Sequence, residues 1–207
     1  MGFYSTHILP RLLDAACGVG PIEKQRMKVI PLAYGDVVEI GIGSGLNLPL
    51  YDPDKVTSLT GIDPDAAFWA RAQARVKACA FPVNHLSLSG ETLPLETACA
   101  DTVIVTYALC TIPDPVAALK EMARILKPKG KIIFTEHGRA PDANVARWQN
   151  RLNPMWNRIA GGCHMNRNIP DLFVAAGLSV ETLDQMYIPG PRILSYNYWG
   201  MARAESA

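Results

Sequence analysis

Short runs rich in β-branched residues alternate with helical stretches along most of the chain, and this alternation is the strongest constraint on its fold. Residues 36–40, 56–62, 83–88, 101–107 and 131–136 read as strands. Residues 65–80 are alanine-rich with no breaker, hence helical, with Asp63 or Asp65 as the N-cap. Residues 115–126 are amphipathic and stop before Pro128 and Gly130. Residues 138–169 read as helix then loop, with a break at Gly161-Gly162, and 169–176 as a helix ended by Gly177. Strand–helix alternation gives a parallel sheet with helices on both faces, and the nearly all-apolar 101–107 suits a strand covered on both sides. The last two strands, 178–186 and 193–201, are separated by Pro189-Gly190-Pro191, too short for a helix, so they pair antiparallel.

Ahead of this core, Ile8, Leu12, Leu13 and Ala16 have helical spacing, and Ile22, Arg26 and Val29 mark a second helix before Pro31. The expectation is one domain over 1–207, with 1–34 a helical cover and 35–202 a Rossmann-like α/β core. A 207-residue chain with 49% hydrophobic and 19% charged residues has the material for one core and is not disordered. Twenty Lys+Arg against 19 Asp+Glu, scattered, give a net charge of +1 and argue against nucleic acid as a partner. No apolar run approaches the roughly 18–20 residues that span a bilayer, and no charged segment precedes an apolar stretch at the N-terminus. Met1-Gly2-Phe3-Tyr4-Ser5-Thr6 fits the short myristoylation pattern, but no polybasic patch follows, so no stable membrane anchor is expected. The five cysteines form no CxxC pair, which points away from a disulfide framework or zinc site and towards a cytoplasmic location.

The turn Gly41-Ile42-Gly43-Ser44-Gly45 follows the first strand, where glycines bring backbone N–H groups close to a ligand. Its spacing is G-x-G-x-G. The dinucleotide fingerprint G-x-G-x-x-G fails because position 46 is Leu. Glu39 precedes the turn by two, unfavourable to a pyrophosphate but tolerant of a cationic amine, which favours S-adenosylmethionine (SAM). Asp63 ends the next strand, where an acid accepts hydrogen bonds from both ribose hydroxyls of an adenosine; its other reading is a helix cap. Ser89-Gly90-Glu91 follows the third strand, where an adenine edge would lie. Thr106-Tyr107 follows the fourth, where methionine and acceptor would meet.

With Val38–Gly45, Gly61-Ile62-Asp63-Pro64, Glu91-Thr92-Leu93-Pro94 and Leu126-Lys127-Pro128-Lys129-Gly130, the chain resembles the class I SAM-dependent methyltransferases of the type 11 group. Leu109-Cys110-Thr111-Ile112, Glu136-His137, Asn153-Pro154-x-Trp156 and Gly162-Cys163-His164-x-Asn166-Arg167 narrow the resemblance to the alkyl thiol methyltransferases. The resemblance implies a seven-stranded sheet of order 3-2-1-4-5-7-6, SAM as sole cofactor with S-adenosylhomocysteine as product, and no metal. The implied cofactor residues are Glu39, Gly41, Gly43, Gly45, Asn47, Asp63, Pro64, Ser89, Gly90, Glu91, Thr106 and Tyr107. Ser89 stands where an acid is common, which leaves the adenine to Gly90 N–H and Glu91. The apolar N-terminal segment of the animal relatives has no counterpart here.

The implied acceptor is a small molecule, a thiol or other sulfur nucleophile first, a lipid head-group amine or quinone-like phenol second. A SAM-binding module without catalysis is the alternative of another class. A thiol attacks as its thiolate, so the site needs a base or a positive field. His137, at the end of the fifth strand, is the first candidate base, and His164, in a glycine-rich loop, the second. Cys110 and Cys163 read as small hydrophobes lining the pocket, Trp148, Met155 and Trp156 as core, His7 and His85 as structural. Monomer and homodimer remain equally open.

Overall fold

The computed structural model describes residues 9–204. The readings of Met1–Thr6, Tyr4 and His7 lie outside the described residues. Two helices, α1 (Leu9–Cys17) and α2 (Gly20–Val29), precede the sheet. Then come β1 (Gly35–Ile40), β2 (Val56–Ile62), α3 (Ala66–Lys77), β3 (Val83–Leu86), β4 (Ala100–Thr106), α4 (Pro115–Ile125), β5 (Leu126–His137), α5 (Ala143–Ile159), α6 (Ile169–Ala175), β6 (Leu178–Tyr187) and β7 (Tyr196–Ala204). The strands form one seven-stranded sheet of order β3-β2-β1-β4-β5-β7-β6. β1 to β5 pair in parallel and β7 pairs antiparallel with both β5 and β6, as the sequence implied.

Strand side chains alternate between faces, and the two core clusters follow that alternation. Val38, Ile40, Val103, Val105, Ile132 and Phe134 pack with α4 and α6 residues such as Leu119, Met122 and Phe173. Val37, Ile104, Ile133 and Leu59 pack on the other face with Val29 of α2 and Trp69 of α3. Both faces being covered explains why β4 is apolar almost throughout.

Several boundaries moved, two of them at the start of a strand: β3 ends at Leu86 and β7 at Ala204, while β5 and β7 begin elsewhere than expected. β5 begins at Leu126 because residues 127–130 bulge out between the pairs Ala100↔Leu126 and Thr102↔Lys131, so Pro128 interrupts no ladder bond. β7 begins at Tyr196 and not at 193, because Leu194 N–H closes a turn on Pro191 O at 2.9 Å. Trp148 and Met155, read as core, are 55% and 61% exposed on α5. No helix among the described residues is long and apolar enough to cross a membrane.

Candidate functional site

In parallel sheets ligands sit outside the carboxyl ends of the strands. A cavity of about 700 Å³ opens there, lined by residues that end β1, β2, β4 and β5 and covered by residues of α1 and α2. Gly41, Gly43, Asp63, Pro64, Ser89, Gly90, Thr106, Tyr107 and His137 all line it.

The turn after β1 reaches the cavity because its glycines adopt left-handed φ. Gly41 has φ +75°, and a Cβ there would lie 2.5 Å from Ala108 Cβ. Gly43 has φ +53°, and a Cβ would meet nothing closer than 3.9 Å. Gly41 is therefore demanded by packing, Gly43 by backbone shape alone, and the face of Gly43 stays open.

Asp63 Oδ2 accepts Gly43 N–H at 3.0 Å and Oδ1 accepts Asp65 N–H at 2.9 Å. Asp65, not Asp63, caps α3, accepting Ala67 N–H at 2.8 Å. Each Asp63 oxygen thus keeps acceptor capacity for a ligand diol. Burial pushes the Asp63 carboxyl above its ordinary value, against the two backbone N–H bonds.

Four cofactor assignments from the sequence fall outside the lining. Glu39 is buried behind the turn, where Oε1 accepts Asn47 Nδ2 at 2.8 Å and Oε2 accepts Tyr51 O–H at 2.7 Å. Burial raises its carboxyl to about 7. Asn47, fully buried, also donates to Thr106 Oγ1 at 2.9 Å. Gly45 packs on Leu48 instead of facing the cavity. Glu91 Oε1 accepts Asp114 N–H at 3.0 Å, so its carboxylate braces the start of α4. These residues shape the walls from behind.

Arg26 is the residue that sequence reading missed. Its guanidinium lines the cavity, 6% exposed, with Nη1 bonded to Asn47 Oδ1 at 2.8 Å and Thr106 Oγ1 at 2.7 Å. It lies 5.0 Å from the Tyr107 ring centroid, and its Nε is buried without a partner. The available signal was its place in the stripe Ile22, Arg26, Val29: a cation on the inward face of a helix. Buried cations are paired, so a ligand carboxylate fits this position.

At the β4 and β5 ends, Tyr107 takes φ +52°, a conformation costly for a bulky residue and concentrated at functional sites. Its hydroxyl donates to Asn197 Oδ1 at 2.7 Å. Glu136, fully buried, accepts Ala108 N–H at 2.7 Å and Leu109 N–H at 3.0 Å, which fixes the turn carrying Cys110. Burial raises the Glu136 carboxyl to about 7.

His137 Nε2 lies 3.3 Å from Cys163 Sγ, and the donor atoms of Cys110, His137 and Cys163 all fall within 4.8 Å of one another. Burial opposes the imidazolium, but Cys163 and Glu136 outweigh it and His137 sits above its ordinary value. The Cys163 thiol is pushed well up by its bond with Cys110 and by burial.

His164 is corrected from candidate base to strut. It does not line the cavity; Nδ1 and Nε2 each face an asparagine amide at 3.0 Å, from Asn153 and Asn157. His85, read as structural, stacks on Trp69 with centroids 4.2 Å apart. Trp156, read as core, lines the cavity.

Residues 38–134 match the family described as a methyltransferase domain. Over this segment the chain carries a methyltransferase domain, set in a sheet with the strand order of the class I methyltransferases. It is 30% identical over 135 residues to a thiol S-methyltransferase (TMT1B) of Rattus norvegicus, covering 63% of this chain and 54% of the relative. It is 32% identical over 127 residues to a phosphatidylethanolamine N-methyltransferase of Cereibacter sphaeroides, covering 57% of this chain and 62% of the relative. The chain thus spans about half the length of the rat relative. The fold matches a SAM-dependent methyltransferase of Leishmania major with TM-score 0.71 and 14% identity, over 97% of this chain and 80% of that one.

Proposed function

We propose that the chain is a methyltransferase that moves the methyl group of SAM to the sulfur of a small thiol. The observation that carries this reading is the continuity of one cavity from the Gly43–Asp63 bond to a wall of Cys110, His137 and Cys163. We read the whole chain as one unit with the helices before β1 as its cover.

The adenosine end belongs at Asp63, which accepts from the ribose hydroxyls, with Ser89 and Gly90 beside the adenine. Arg26, a buried cation whose side chain lines the cavity, answers the carboxylate of the methionine part. SAM supplies an electrophilic methyl carbon on a sulfonium sulfur. From Asp63 at the β2 end to His137 at the β5 end the sheet is crossed by three strand spacings, roughly 14 Å, which is the reach an adenosyl group and its methionine arm need.

The chain's own task is then alignment, dryness and deprotonation of the acceptor. Trp156, Ile188, Leu194 and Pro189 wall the acceptor end with apolar surface. His137 acts on the thiol proton. The wall favours sulfur over a cationic amine acceptor, because the carboxylates that line the cavity are Asp14, Asp63 and Asp65, all around the glycine turn and β2, while Glu136 beside His137 lies behind the wall, bonded to the Ala108 and Leu109 N–H groups. The thiol methyltransferases among the relatives support the same choice.

The test is a turnover screen with SAM and a panel of alkyl and aryl thiols, sulfide, phosphatidylethanolamine and phenols, read as S-adenosylhomocysteine release. Release with thiols at a rate above the other classes is the expected result. Release with the amine alone would replace the thiol reading, and SAM binding without release would make the chain a binding module.

A further inference from the structure

We propose that Cys110, His137 and Cys163 form a site for a soft divalent metal ion, of which Zn²⁺ fits best, with a fourth coordination position open to the cavity where the acceptor's thiolate binds. The metal site stands on these residues alone; the role of its fourth position rests on the thiol reading above.

Three observations carry it. The donors are two sulfurs and an imidazole nitrogen, the set Zn²⁺ prefers, and their atoms already lie within 4.8 Å of one another. Tetrahedral Zn–S bonds of about 2.3 Å and Zn–N bonds of about 2.0–2.1 Å place adjacent sulfur and nitrogen roughly 3.5 Å apart; Cys163 Sγ and His137 Nε2 stand at 3.3 Å. All three residues also line the cavity, so a fourth ligand has access from the side where the acceptor enters. Three protein ligands and one open position is the pattern of catalytic zinc, whereas structural zinc is closed by four.

The donors are held by separate parts of the fold. Cys110 follows the turn that Glu136 fixes through Ala108 and Leu109, and Arg167 bonds Leu109 O and Ile112 O on its other side. His164 N–H bonds Cys110 O at 2.7 Å, tying the Cys163 loop to the Cys110 turn. His137 closes β5, paired with Asn197 of β7. A divalent ion with two thiolates is net neutral, which suits a largely apolar cavity where an uncompensated charge would be costly. Cys2His sites are recognised in sequence by short spacings. Here the donors come from three distant segments, which is why the cysteine pattern pointed away from zinc.

The chemistry balances without any redox change. The acceptor thiol takes the fourth position and loses its proton to solvent, because coordination deprotonates a thiol outright. Its sulfur forms the new bond to the methyl carbon as the bond from that carbon to the donor sulfonium breaks. The products are a methyl thioether and S-adenosylhomocysteine. The neutral thioether is a weaker ligand than the thiolate and leaves the metal. In this scheme His137 serves as a ligand and does not hold the proton.

The experiment uses the full chain, stripped with chelator and kept in a phosphine reductant that adds no competing thiol. Zn²⁺ binding is measured by competition with a chromophoric chelator, and Co²⁺ is added to read ligand type. One ion per chain and an intense near-ultraviolet thiolate-to-cobalt band are expected, both lost in Cys163→Ser and Cys110→Ser. Loss of an outer-shell partner alone costs about 10–100-fold in metal affinity, so ligand loss should exceed ~100-fold; Cys79→Ser and Cys99→Ser should change nothing. Adding 2-mercaptoethanol without SAM should shift the cobalt spectrum. Absence of the band, or equal Zn²⁺ affinity in the Cys163 variant with native circular dichroism, overturns the site. A cobalt spectrum indifferent to thiols overturns the role of the fourth position. Full thiol methylation by the stripped chain overturns that role too while leaving the thiol reading intact, whereas metal binding with no thiol turnover removes the thiol reading and leaves the metal site.

Discussion

Asp63 and Gly43 are joined by a hydrogen bond of 3.0 Å from the Gly43 N–H to Asp63 Oδ2, so the acid that lines the cavity is aimed by the glycine turn itself. Because Asp65 caps α3, Asp63→Ala removes no helix cap. The variant should fold and lose one charged acceptor pair for the ribose, weakening SAM by roughly 1.5–3 kcal/mol. Calorimetry giving wild-type affinity would remove Asp63 from the ribose.

Gly41 and Gly43 should separate when each is replaced by alanine. Both sit at positive φ, so each pays about 1 kcal/mol in backbone strain. Gly41→Ala adds a collision with Ala108 Cβ and should lower the melting temperature further, with partial recovery in Gly41→Ala/Ala108→Gly. Gly43→Ala meets no such neighbour and should act on SAM affinity more than on stability; Gly43→Val should abolish binding by covering the open face. Equal melting temperatures for the two alanine variants would contradict the packing difference.

Arg26 is assigned to the carboxylate of the methionine part, and two ligands isolate that contact. In Arg26→Ala, S-adenosylhomocysteine should bind at least about tenfold more weakly, a charge-assisted bond being worth about 1.5–3 kcal/mol. Methylthioadenosine, which lacks the carboxylate, should bind as before. An equal loss for both ligands would mean that Arg26 only braces Asn47 and Thr106.

The legible parts of the molecule were those set by neighbours in sequence. Strand–helix alternation, the glycine turn and the acid ending β2 are local patterns, and they gave the parallel sheet and the residues at one end of the cavity, while the sheet order came with the family resemblance. The turn at 191–194 was misread because Ile193 has strand propensity, and tertiary context decides such short segments. Arg26 and the trio Cys110, His137 and Cys163 were illegible as a site because their meeting depends on α2 covering the turn and on the 160–164 loop crossing the β4 and β5 ends. His164 shows the converse: a glycine-rich loop with a histidine looks catalytic in one dimension, yet two asparagines of α5 occupy its ring.

Glu39 should leave a mark on the pH dependence of stability. Its carboxyl titrates near its ordinary value of 4.5 when unfolded and at about 7 in the fold, raised by burial. Between these values the native state holds a proton that the unfolded state has released, so this group's contribution to stability is full below 4.5 and is lost as pH rises through 7. The shift corresponds to about 3 kcal/mol over that window. Glu39→Gln keeps the shape and removes the titration, so urea midpoints at pH 5 and pH 8 should draw together. Glu136, also raised to about 7, retains its own slope in both proteins. An unchanged gap between the two midpoints would show that Glu39 is ionised throughout.

His137→Ala tests the acceptor end under either way in which His137 acts on the thiol. Both roles lower the barrier to a thiolate, so turnover should fall by about 10²–10⁴-fold while SAM affinity changes little. The loss belongs to the proton, which makes the acceptor's own acidity the control. A thiol that is already ionised at the assay pH needs no help, so the defect should shrink for low-pKa aryl thiols. For alkyl thiols it should shrink as pH rises past their reference value of about 8.5. If low- and high-pKa thiols lose the same small factor, His137 supports the wall only, and catalysis rests on alignment within the dry cavity and on the field of the donor sulfonium.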